Sequence, residues 1–156
     1  MEALRVRVPG VLTTVQDGGR PGLRRLGVPA GGAADPPALW LANLLAGNTR
    51  GAAALENTHG GPTRAGPPGT VRVALAGECA ASVEDGDGRR SEPAPWSSLT
   101  LRRGDRLRLG RVTSGLRAYL AVAGGIAVAP VLGSAATDLR GGWGGLEGRA
   151  LRAGDL

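Results

Sequence analysis

The sequence predicts an all-β domain with one short helix, arranged as a barrel or a sandwich. Short segments in which polar and apolar residues alternate are typical of half-buried strands, and glycine or proline separates nearly all of them. Only one segment has apolar residues at helical spacing. A parallel sheet would need a helix between successive strands, so the pattern argues against it. We predict a single domain over residues 1–156, long enough to enclose a hydrophobic core.

The predicted strands begin near the N-terminus. Segment 4–8 alternates apolar residues with arginine and ends at Pro9-Gly10, and a second short strand covers 11–15. Six further candidates follow the helix: 53–58, 71–76, 80–83, 97–101, 106–109 and 117–122. The polar segment 84–96 is predicted to be an exposed hairpin tip. The final Ala-Gly-Asp-Leu predicts a turn that leads into another strand.

The helix is marked at both ends. Asp35 is placed to cap its N-terminus, and Pro36-Pro37 follows in the first turn, where a missing N–H costs nothing. Gly47-Asn48 is a C-terminal capping signal. The apolar residues between these ends recur at helical spacing: Leu39, Trp40, Leu41, Leu44 and Leu45.

The charge of the chain does not indicate a nucleic-acid partner. The formal net charge is +6, but all 19 basic residues are arginine, and the chain is rich in glycine, alanine and proline. This mixture indicates a bias towards GC-rich codons. The arginines occur as singles and pairs instead of clustering with aromatic residues, as they do in nucleic-acid-binding proteins. We therefore expect no nucleic-acid partner.

The absence of lysine excludes several kinds of site. The chain has no lysine for a Walker A loop, a Schiff base or biotin attachment, so biotin must be carried by a partner. One histidine and one cysteine, His59 and Cys79, exclude the usual zinc clusters and an internal disulfide. No apolar run reaches the roughly 20 residues of a membrane span. Because no signal peptide is evident either, we expect a cytoplasmic protein without a membrane partner.

The segment from Thr13 to Asp35 is the first candidate for a functional surface. It is rich in glycine and contains an isolated Gln16-Asp17 pair and Arg20. Long ordered loops in compact domains are usually functional. A second glycine cluster, Gly141 to Gly145 around Trp143, is unusual but carries no predicted function.

Several blocks of the sequence occur in the collinear order of one family. They are Pro9 to Asp17 with Gly19-Arg20, Gly27 to Pro29, Gly32-Ala33, Asp35-Pro36, Leu41 to Asn48, Leu55-Glu56, Gly61-Pro62, Arg117 to Ile126, Val131 to Ser134 and Gly148-Arg149. The ordered set resembles the biotin-dependent carboxyltransferase-like family, which includes KipA, the C component of 5-oxoprolinase, allophanate hydrolase subunit 2 and a region of urea amidolyase. The resemblance covers almost the whole chain.

The resemblance implies a fold, an activity and partners. The fold is a cyclophilin-like β-barrel, the first of two barrels in the family's full architecture, so the chain would be the N-terminal half. The activity is that of one component in ATP-dependent ring opening of 5-oxoproline to glutamate, or carboxyl transfer from carboxybiotin to urea-like amides. The partners are a protein like KipI or the B component of 5-oxoprolinase, and a protein like its A component, with which ATP would be shared. The chain alone is expected to be inactive.

Two positions in the glycine-rich loop depart from the family's Ser-Gly-Ala-Met-Asp block. Gly31 stands in place of the serine and Ala34 in place of the methionine. These changes remove a hydroxyl group and an apolar anchor from the loop.

Three residues are candidates for catalysis. Asp17 and Arg20 lie three positions apart and offer a carboxylate and a guanidinium to an amide or carboxylate substrate. The alternative is a buried pair that fixes the loop. Glu56 interrupts an apolar strand, where a buried carboxylate without a partner would have a raised pKa suited to acid–base work. An ion pair with an arginine is the alternative for Glu56.

Seven further residues are candidates for substrate binding: Gln16, Gly32, Asp35, Arg117, Tyr119, Gly124 and Gly125. Gln16 would either contact an imide-like ring or satisfy the loop backbone. Arg117 and Tyr119 share a strand face by period two, where they line a pocket unless Tyr119 caps the core. The paired glycines allow close approach of the backbone. No metal ligands are predicted.

Two functions of different classes follow from these observations. The first is an enzyme subunit that contributes a binding and catalytic surface to an amide ring-opening or carboxyl-transfer complex. The second is a non-catalytic regulatory module that binds a KipI-like kinase inhibitor. A third interpretation is a truncated or degenerate relic, suggested by the altered loop and the short chain.

Overall fold

The fold is an antiparallel sheet with one helix packed on it. The computed structural model describes residues 4–155. Its strands are β1 (Arg5–Val8), β2 (Leu12–Gln16), β3 (Ala54–Thr58), β4 (Thr63–Ala65), β5 (Val71–Glu84), β6 (Arg90–Ser91), β7 (Ser97–Leu101) and β8 (Arg106–Val122). Helix α1 (Pro36–Ala46) lies between β2 and β3, after a short 3₁₀ turn at Arg24–Leu26. The predicted all-β class with one short helix is confirmed.

Strand β8 is the centre of the sheet. One of its edges pairs with β4 near the start of the strand and with β3 near the end, while the other edge pairs with β5. The outer strands are β1 beside β4, β2 beside β3, and both β6 and β7 beside β5. All of these pairs are antiparallel.

Two pairs of predicted strands are each one long strand, which corrects the prediction from sequence. The candidates 71–76 and 80–83 belong to β5, and 106–109 and 117–122 belong to β8. The intervening glycines suggested breaks, but they lie at irregularities inside the strands. Gly77 has a φ of +116°, and a Cβ on it would lie 2.8 Å from Ala118 Cα, so only glycine fits this bend.

Helix α1 begins and ends where the sequence predicts. The Asp35 carboxylate accepts a hydrogen bond from the Ala38 N–H at 3.2 Å, and Gly47 closes the helix in a left-handed conformation. The buried side of the helix packs on alanines of the sheet and on Tyr119. Its outer side exposes Trp40, Leu41 and Leu44.

Where α1 packs on it, the sheet is buried on both faces. One face carries a cluster of leucines and valines that includes Val15, Leu55, Leu75, Leu107 and Leu120. The other face carries small residues that admit α1 at close range. Strands buried on both faces do not alternate cleanly between polar and apolar residues, which explains why β5 contains the long apolar run from Val73 to Ala76.

The last part of the described chain follows the first strands without forming strands itself. The Thr137 N–H donates to the Val15 carbonyl, and the Leu151 N–H donates to the Thr13 carbonyl. Further on, Val6 exchanges backbone hydrogen bonds with Gly154 and Asp155. The predicted turn near the C-terminus lies at Ala153-Gly154, and the strand expected after it lies outside the described residues.

Candidate functional site

A cavity of about 660 Å³, here called the polar pocket, is lined by three neighbouring strands and two loops. The strands β2, β3 and β8 contribute Thr14, Gln16, Glu56, Thr58 and Arg117. Register explains why these side chains meet: Thr14 lies opposite Glu56, and Thr58 lies opposite Arg117. Residues directly opposite each other on antiparallel strands point to the same face. The loops contribute residues 27–31 and 137–143.

Glu56 is the acidic group of the polar pocket. Its Oε2 atom accepts hydrogen bonds from the Tyr119 hydroxyl at 2.7 Å and from the Ala34 N–H at 2.8 Å. Its Oε1 atom lies 3.3 Å from Arg117 Nε, an ion pair without hydrogen-bond alignment. Arg117 Nη1 in turn donates to Thr58 Oγ1 at 2.6 Å. Of the two alternatives for Glu56, the ion pair with an arginine is therefore present.

Tyr119 connects this acidic group to the start of the helix. The side chain is fully buried, and its hydroxyl accepts a hydrogen bond from the Asp35 N–H at 2.8 Å. Burial raises the pKa of the Tyr119 hydroxyl far above its usual range, and the hydrogen bond to Glu56 adds to the effect. The hydroxyl is therefore held neutral as a donor to the carboxylate.

Gln16 brings an unused acceptor to the polar pocket. Its Nε2 atom donates to Thr14 Oγ1 at 3.1 Å and to the Thr137 carbonyl at 3.3 Å. Its Oε1 atom is buried and has no hydrogen-bond partner among the described residues. A buried carbonyl oxygen without a donor is unfavourable, so a ligand N–H that reached it would restore the missing bond.

Asp17 and Arg20 do not contact each other, and both hold the segment 131–136. The Asp17 carboxylate accepts from the Ser134 hydroxyl at 2.5 Å and from the Ala135 N–H at 2.6 Å. Arg20 donates from Nη2 to the Ala136 carbonyl at 2.6 Å and from Nε to the Val131 carbonyl at 3.3 Å. Neither residue lines the polar pocket.

The Arg20 guanidinium also stacks on an aromatic ring. Its central carbon lies 4.3 Å from the centre of the Trp143 ring, within the range of a cation–π interaction. Trp143 does line the polar pocket, so the ring connects Arg20 to the pocket.

The remaining predicted binding residues lie outside the pocket lining. A Cβ on Gly32 would lie 2.8 Å from Gly19 N, which shows that the two arms of the loop touch. Asp35 caps the helix. The Gly124 N–H donates to Asn48 Oδ1 at 2.8 Å, and the Gly125 N–H donates to the Val122 carbonyl. The contacts of all four residues are therefore with the protein's own backbone and caps, outside the pocket lining.

Several pocket residues were not predicted. Thr14 could have been found, because it lies two positions before Gln16 on the same strand and so shares its face. Trp143 and Arg140 belong to a loop that follows Gln16 by more than 120 positions, and local sequence carries no signal of that proximity.

Among residues 4–155 there is no cluster of three or more histidine, cysteine, aspartate or glutamate side chains placed to hold a metal ion. Within the same range, α1 is too short to cross a membrane, and no other helix is long and apolar enough to do so.

Comparison with known proteins decides the family. A model of the carboxyltransferase domain, subdomains A and B, matches residues 26–156. The chain belongs to this family. The resemblance seen in the sequence is thereby confirmed.

Relatives of the chain include a component of 5-oxoprolinase and enzymes named for urea, urea amidolyase and urea carboxylase. The chain is 47% identical over 154 residues to the C component of 5-oxoprolinase from Escherichia coli, covering 97% of this chain and 47% of that protein. It is 40% identical over 155 residues to urea amidolyase of Lachancea kluyveri, covering 99% of this chain and 8% of that protein. The crystal structure of Kluyveromyces lactis urea carboxylase is similar, with a TM-score of 0.90 at 39% identity, covering 98% of this chain and 13% of the other. The chain spans about half the length of the 5-oxoprolinase relative.

Proposed function

We propose that this chain is a subunit of an ATP-dependent complex that opens the ring of 5-oxoproline to give glutamate. The observation that carries the proposal is the polar pocket, in which an unpartnered amide acceptor and an arginine lie among partly apolar walls. The similarity to the C component of 5-oxoprolinase supports the same assignment.

The pocket residues have complementary roles toward such a substrate. 5-Oxoproline carries a ring N–H and a carboxylate on adjacent atoms. The Oε1 atom of Gln16 accepts the ring N–H, which satisfies its buried and unused acceptor. Arg117, whose Nη2 atom makes no hydrogen bond to another described residue, binds the carboxylate, since guanidinium groups suit planar two-point recognition.

In this proposal, Glu56 orients Arg117. Its Oε2 atom is occupied by two donors, while Oε1 faces Arg117. The two donors to Oε2 fix the orientation of the carboxylate, so Glu56 positions the arginine at the pocket wall.

The partners supply what this chain lacks. We propose a protein like KipI or the B component of 5-oxoprolinase as the direct partner, and a protein like the A component as the third member. ATP is shared with these proteins, because the chain has no lysine for a Walker A loop. If the complex instead transfers carboxyl groups, biotin is carried by a partner for the same reason.

Reconstitution tests the proposal. The chain is mixed with proteins like the A and B components, complex formation is verified by size-exclusion chromatography, and glutamate release from 5-oxoproline is measured with and without ATP. We expect ATP-dependent turnover. A verified complex without turnover would contradict the ring-opening function.

An arginine variant makes the test specific to the pocket. Arg117→Ala removes a charge-assisted contact and is expected to raise KM for 5-oxoproline about tenfold or more. Arg111→Ala is the control, because Arg111 is an exposed arginine of the same strand outside the pocket. Equal KM values for Arg117→Ala and the control would remove Arg117 from the site.

Carboxyl transfer to urea-like amides is the related alternative. It is favoured by the similarity to urea amidolyase. Urea has no carboxylate, so Arg117→Ala would leave its KM almost unchanged. Measuring both substrates with one variant therefore separates the two reactions.

A non-catalytic regulatory role is the second candidate, and one observation favours it. The outer side of α1 exposes Trp40, Leu41 and Leu44, with exposed fractions of 41%, 38% and 52%. An apolar side of this kind suits the binding of a KipI-like protein. Replacing Trp40 and Leu44 by serine should abolish binding of that protein, while Trp96→Ser, another exposed tryptophan, should not.

A further inference from the structure

Trp143 stands between a buried cation and the polar pocket. Arg20 is 2% exposed and lines no part of the pocket, whereas Trp143 lines it and lies 4.3 Å from the guanidinium. The ring therefore separates the guanidinium from whatever occupies the pocket. This arrangement lies outside the roles given above to Gln16, Glu56 and Arg117.

The position of the ring is fixed by the glycines around it. A Cβ on Gly141 would collide with Trp143 Nε1, and a Cβ on Gly148 would collide with the Gly142–Trp143 peptide. A Cβ on Gly144 would collide with the Ala136 carbonyl, which accepts a hydrogen bond from Arg20. The glycine cluster that the sequence displays thus has a physical reason: larger residues would push the indole off the guanidinium.

Arg20 also lies close to Gly31, which belongs to the other loop of the pocket. Arg20 Nη1 is buried and has no hydrogen-bond partner among the described residues. A Cβ on Gly31, which lines the pocket, would lie 3.0 Å from this atom. Arg20 thus retains an unused N–H behind Gly31, and its charge acts on the pocket through the indole and the glycine.

A cation on one side of an aromatic ring draws the π electrons towards itself. The other side then becomes less negative and favours electron-rich flat groups, such as amides and carboxylates, over cations. A flat ring can also stack on the indole with little loss of conformational freedom.

We propose that Trp143, backed by Arg20, is the residue that selects flat, amide-containing rings in the polar pocket. The inference rests on the proposed function, because it assigns a role towards the same substrate. Trp143 stacks on the plane of the lactam, while Gln16 and Arg117 bind its edge. Saturated rings with the same carboxylate lack the flat face and bind more weakly.

Fluorescence tests the proposal directly. The chain has three tryptophans, so replacing Trp40 and Trp96 by phenylalanine leaves Trp143 as the only indole. Titration with 5-oxoproline is expected to change the emission of Trp143 with saturation, whereas L-proline, which has the carboxylate but no flat amide, binds about five- to tenfold more weakly.

Two substitutions of the ring complete the design. Trp143→Phe keeps a flat ring and should raise the dissociation constant for 5-oxoproline by less than about threefold, while Trp143→Leu should raise it about five- to tenfold. Circular dichroism checks that both variants fold. If Trp143→Leu does not fold, stacking is tested by the variant that keeps only Trp143. The two measurements are then the change in Trp143 emission on binding 5-oxoproline and the preference for 5-oxoproline over L-proline.

The outcomes separate the two proposals. If the wild-type chain binds 5-oxoproline but a folded Trp143→Leu variant binds it equally well, stacking is wrong and the proposed function remains. Saturable binding of 5-oxoproline without any change in Trp143 emission would also overturn stacking alone. If 5-oxoproline neither binds to the chain nor is turned over by the reconstituted complex, both proposals fail.

Discussion

Tyr119 is the residue through which the polar pocket and the core depend on each other. Its ring packs under α1, and its hydroxyl stands between the Asp35 N–H and the Glu56 carboxylate. Removing the hydroxyl would leave the Asp35 N–H without its acceptor and would remove one of the two donors to Glu56 Oε2. The sequence left two alternatives for Tyr119, a pocket wall or a core cap. In the structure Tyr119 lies in the core and its hydroxyl binds the pocket residue Glu56.

The raised pKa of Tyr119 predicts an unusual titration. Tyr119 is the only tyrosine, so the absorbance of tyrosinate at alkaline pH reports this one group. In the unfolded chain it should ionise near the ordinary value of about 10. In the folded chain it should stay protonated until the protein unfolds. The free energy of unfolding should therefore be unaffected by this group below about pH 10 and should fall as the pH rises above that value. Reversible ionisation near the ordinary value, with native circular dichroism, would contradict this.

Tyr119→Phe is expected to cost about 1–3 kcal/mol of unfolding free energy, because it removes a buried donor to Glu56 and leaves the Asp35 N–H without an acceptor. Urea denaturation measures the change. Trp96→Phe is a matched control, since it also removes an aromatic donor to a carboxylate, but the Trp96 bond to Glu78 is exposed to water. The control should cost less than about 1 kcal/mol. Equal losses would mean that burial of the Tyr119 network is unimportant.

At the scale of elements, the segment 131–136 is ordered by side chains from a loop more than 110 positions earlier. It forms no regular strand of its own, and the isolated bridge between Val131 and Ser134 is its main internal pairing. Asp17 supplies two bonds to it, and Arg20 supplies bonds to its carbonyls. The two residues therefore position the segment that directly precedes the pocket-lining loop 137–143. Their predicted catalytic roles stay untested.

Asp17→Ala should loosen this segment. The change removes the acceptors of Ser134 and Ala135, so hydrogen exchange of amides 134–137 should accelerate at least about tenfold, while amides of α1 stay protected. Asp85→Ala is the control, because Asp85 also accepts two backbone N–H bonds but in the exposed β5–β6 turn. If Asp17→Ala left exchange in 134–137 unchanged, Asp17 would not be a brace for the segment.

The sequence predicts elements whose signals are local. The caps of α1 lie within a few residues of the helix, and the alternation of Arg106 to Leu109 marks the wet and buried faces of a strand. Strand length was mispredicted where a glycine such as Gly77 bends a strand without ending it. β4, only three residues long, is too short to show any period.

The same distinction between local and long-range signals applies to the residues of the site. The sequence identifies three candidates because each is a polar residue in a largely apolar strand: Glu56, Arg117 and Tyr119. Period two also relates Arg117 to Tyr119. That Glu56 meets Arg117 depends on the register of β3 and β8, which local sequence does not encode. Trp143 joins them only through the fold of the chain after β8.

For the whole molecule, the closing contact is between β1 and the end of the described chain. Arg149 donates two hydrogen bonds to the Asp155 carboxylate, at 2.8 and 3.0 Å, next to the backbone bonds between Val6 and Gly154-Asp155. The hydrogen bonds from Arg149 hold the pKa of Asp155 below its usual range. The pair thus stabilises the turn whose backbone binds the first strand.

Asp155→Asn should reduce stability by about 1–2 kcal/mol near neutral pH. Because the pKa of Asp155 is lowered in the folded state, its contribution is present above the ordinary value of about 3.9 and disappears as pH falls below it. Urea midpoints of wild type and variant should therefore converge on acidification. Asp87→Asn is the control, since its pair with Arg89 is exposed, and it should show a small difference at all pH values.

The central position of β8 also determines when the protein can fold. β3, β4 and β5 each pair with this strand, and its residues 106–122 are translated after all three. A nascent chain that stops before Arg106 can pair β1 with β4, β2 with β3, and β5 with β6 and β7, but no strand joins these three pieces. The pairings of β8 with β3, β4 and β5 join distant parts of the chain, and contacts of this kind are slow to form. During synthesis, the first two thirds of the chain must therefore remain protected from aggregation until β8 leaves the ribosome.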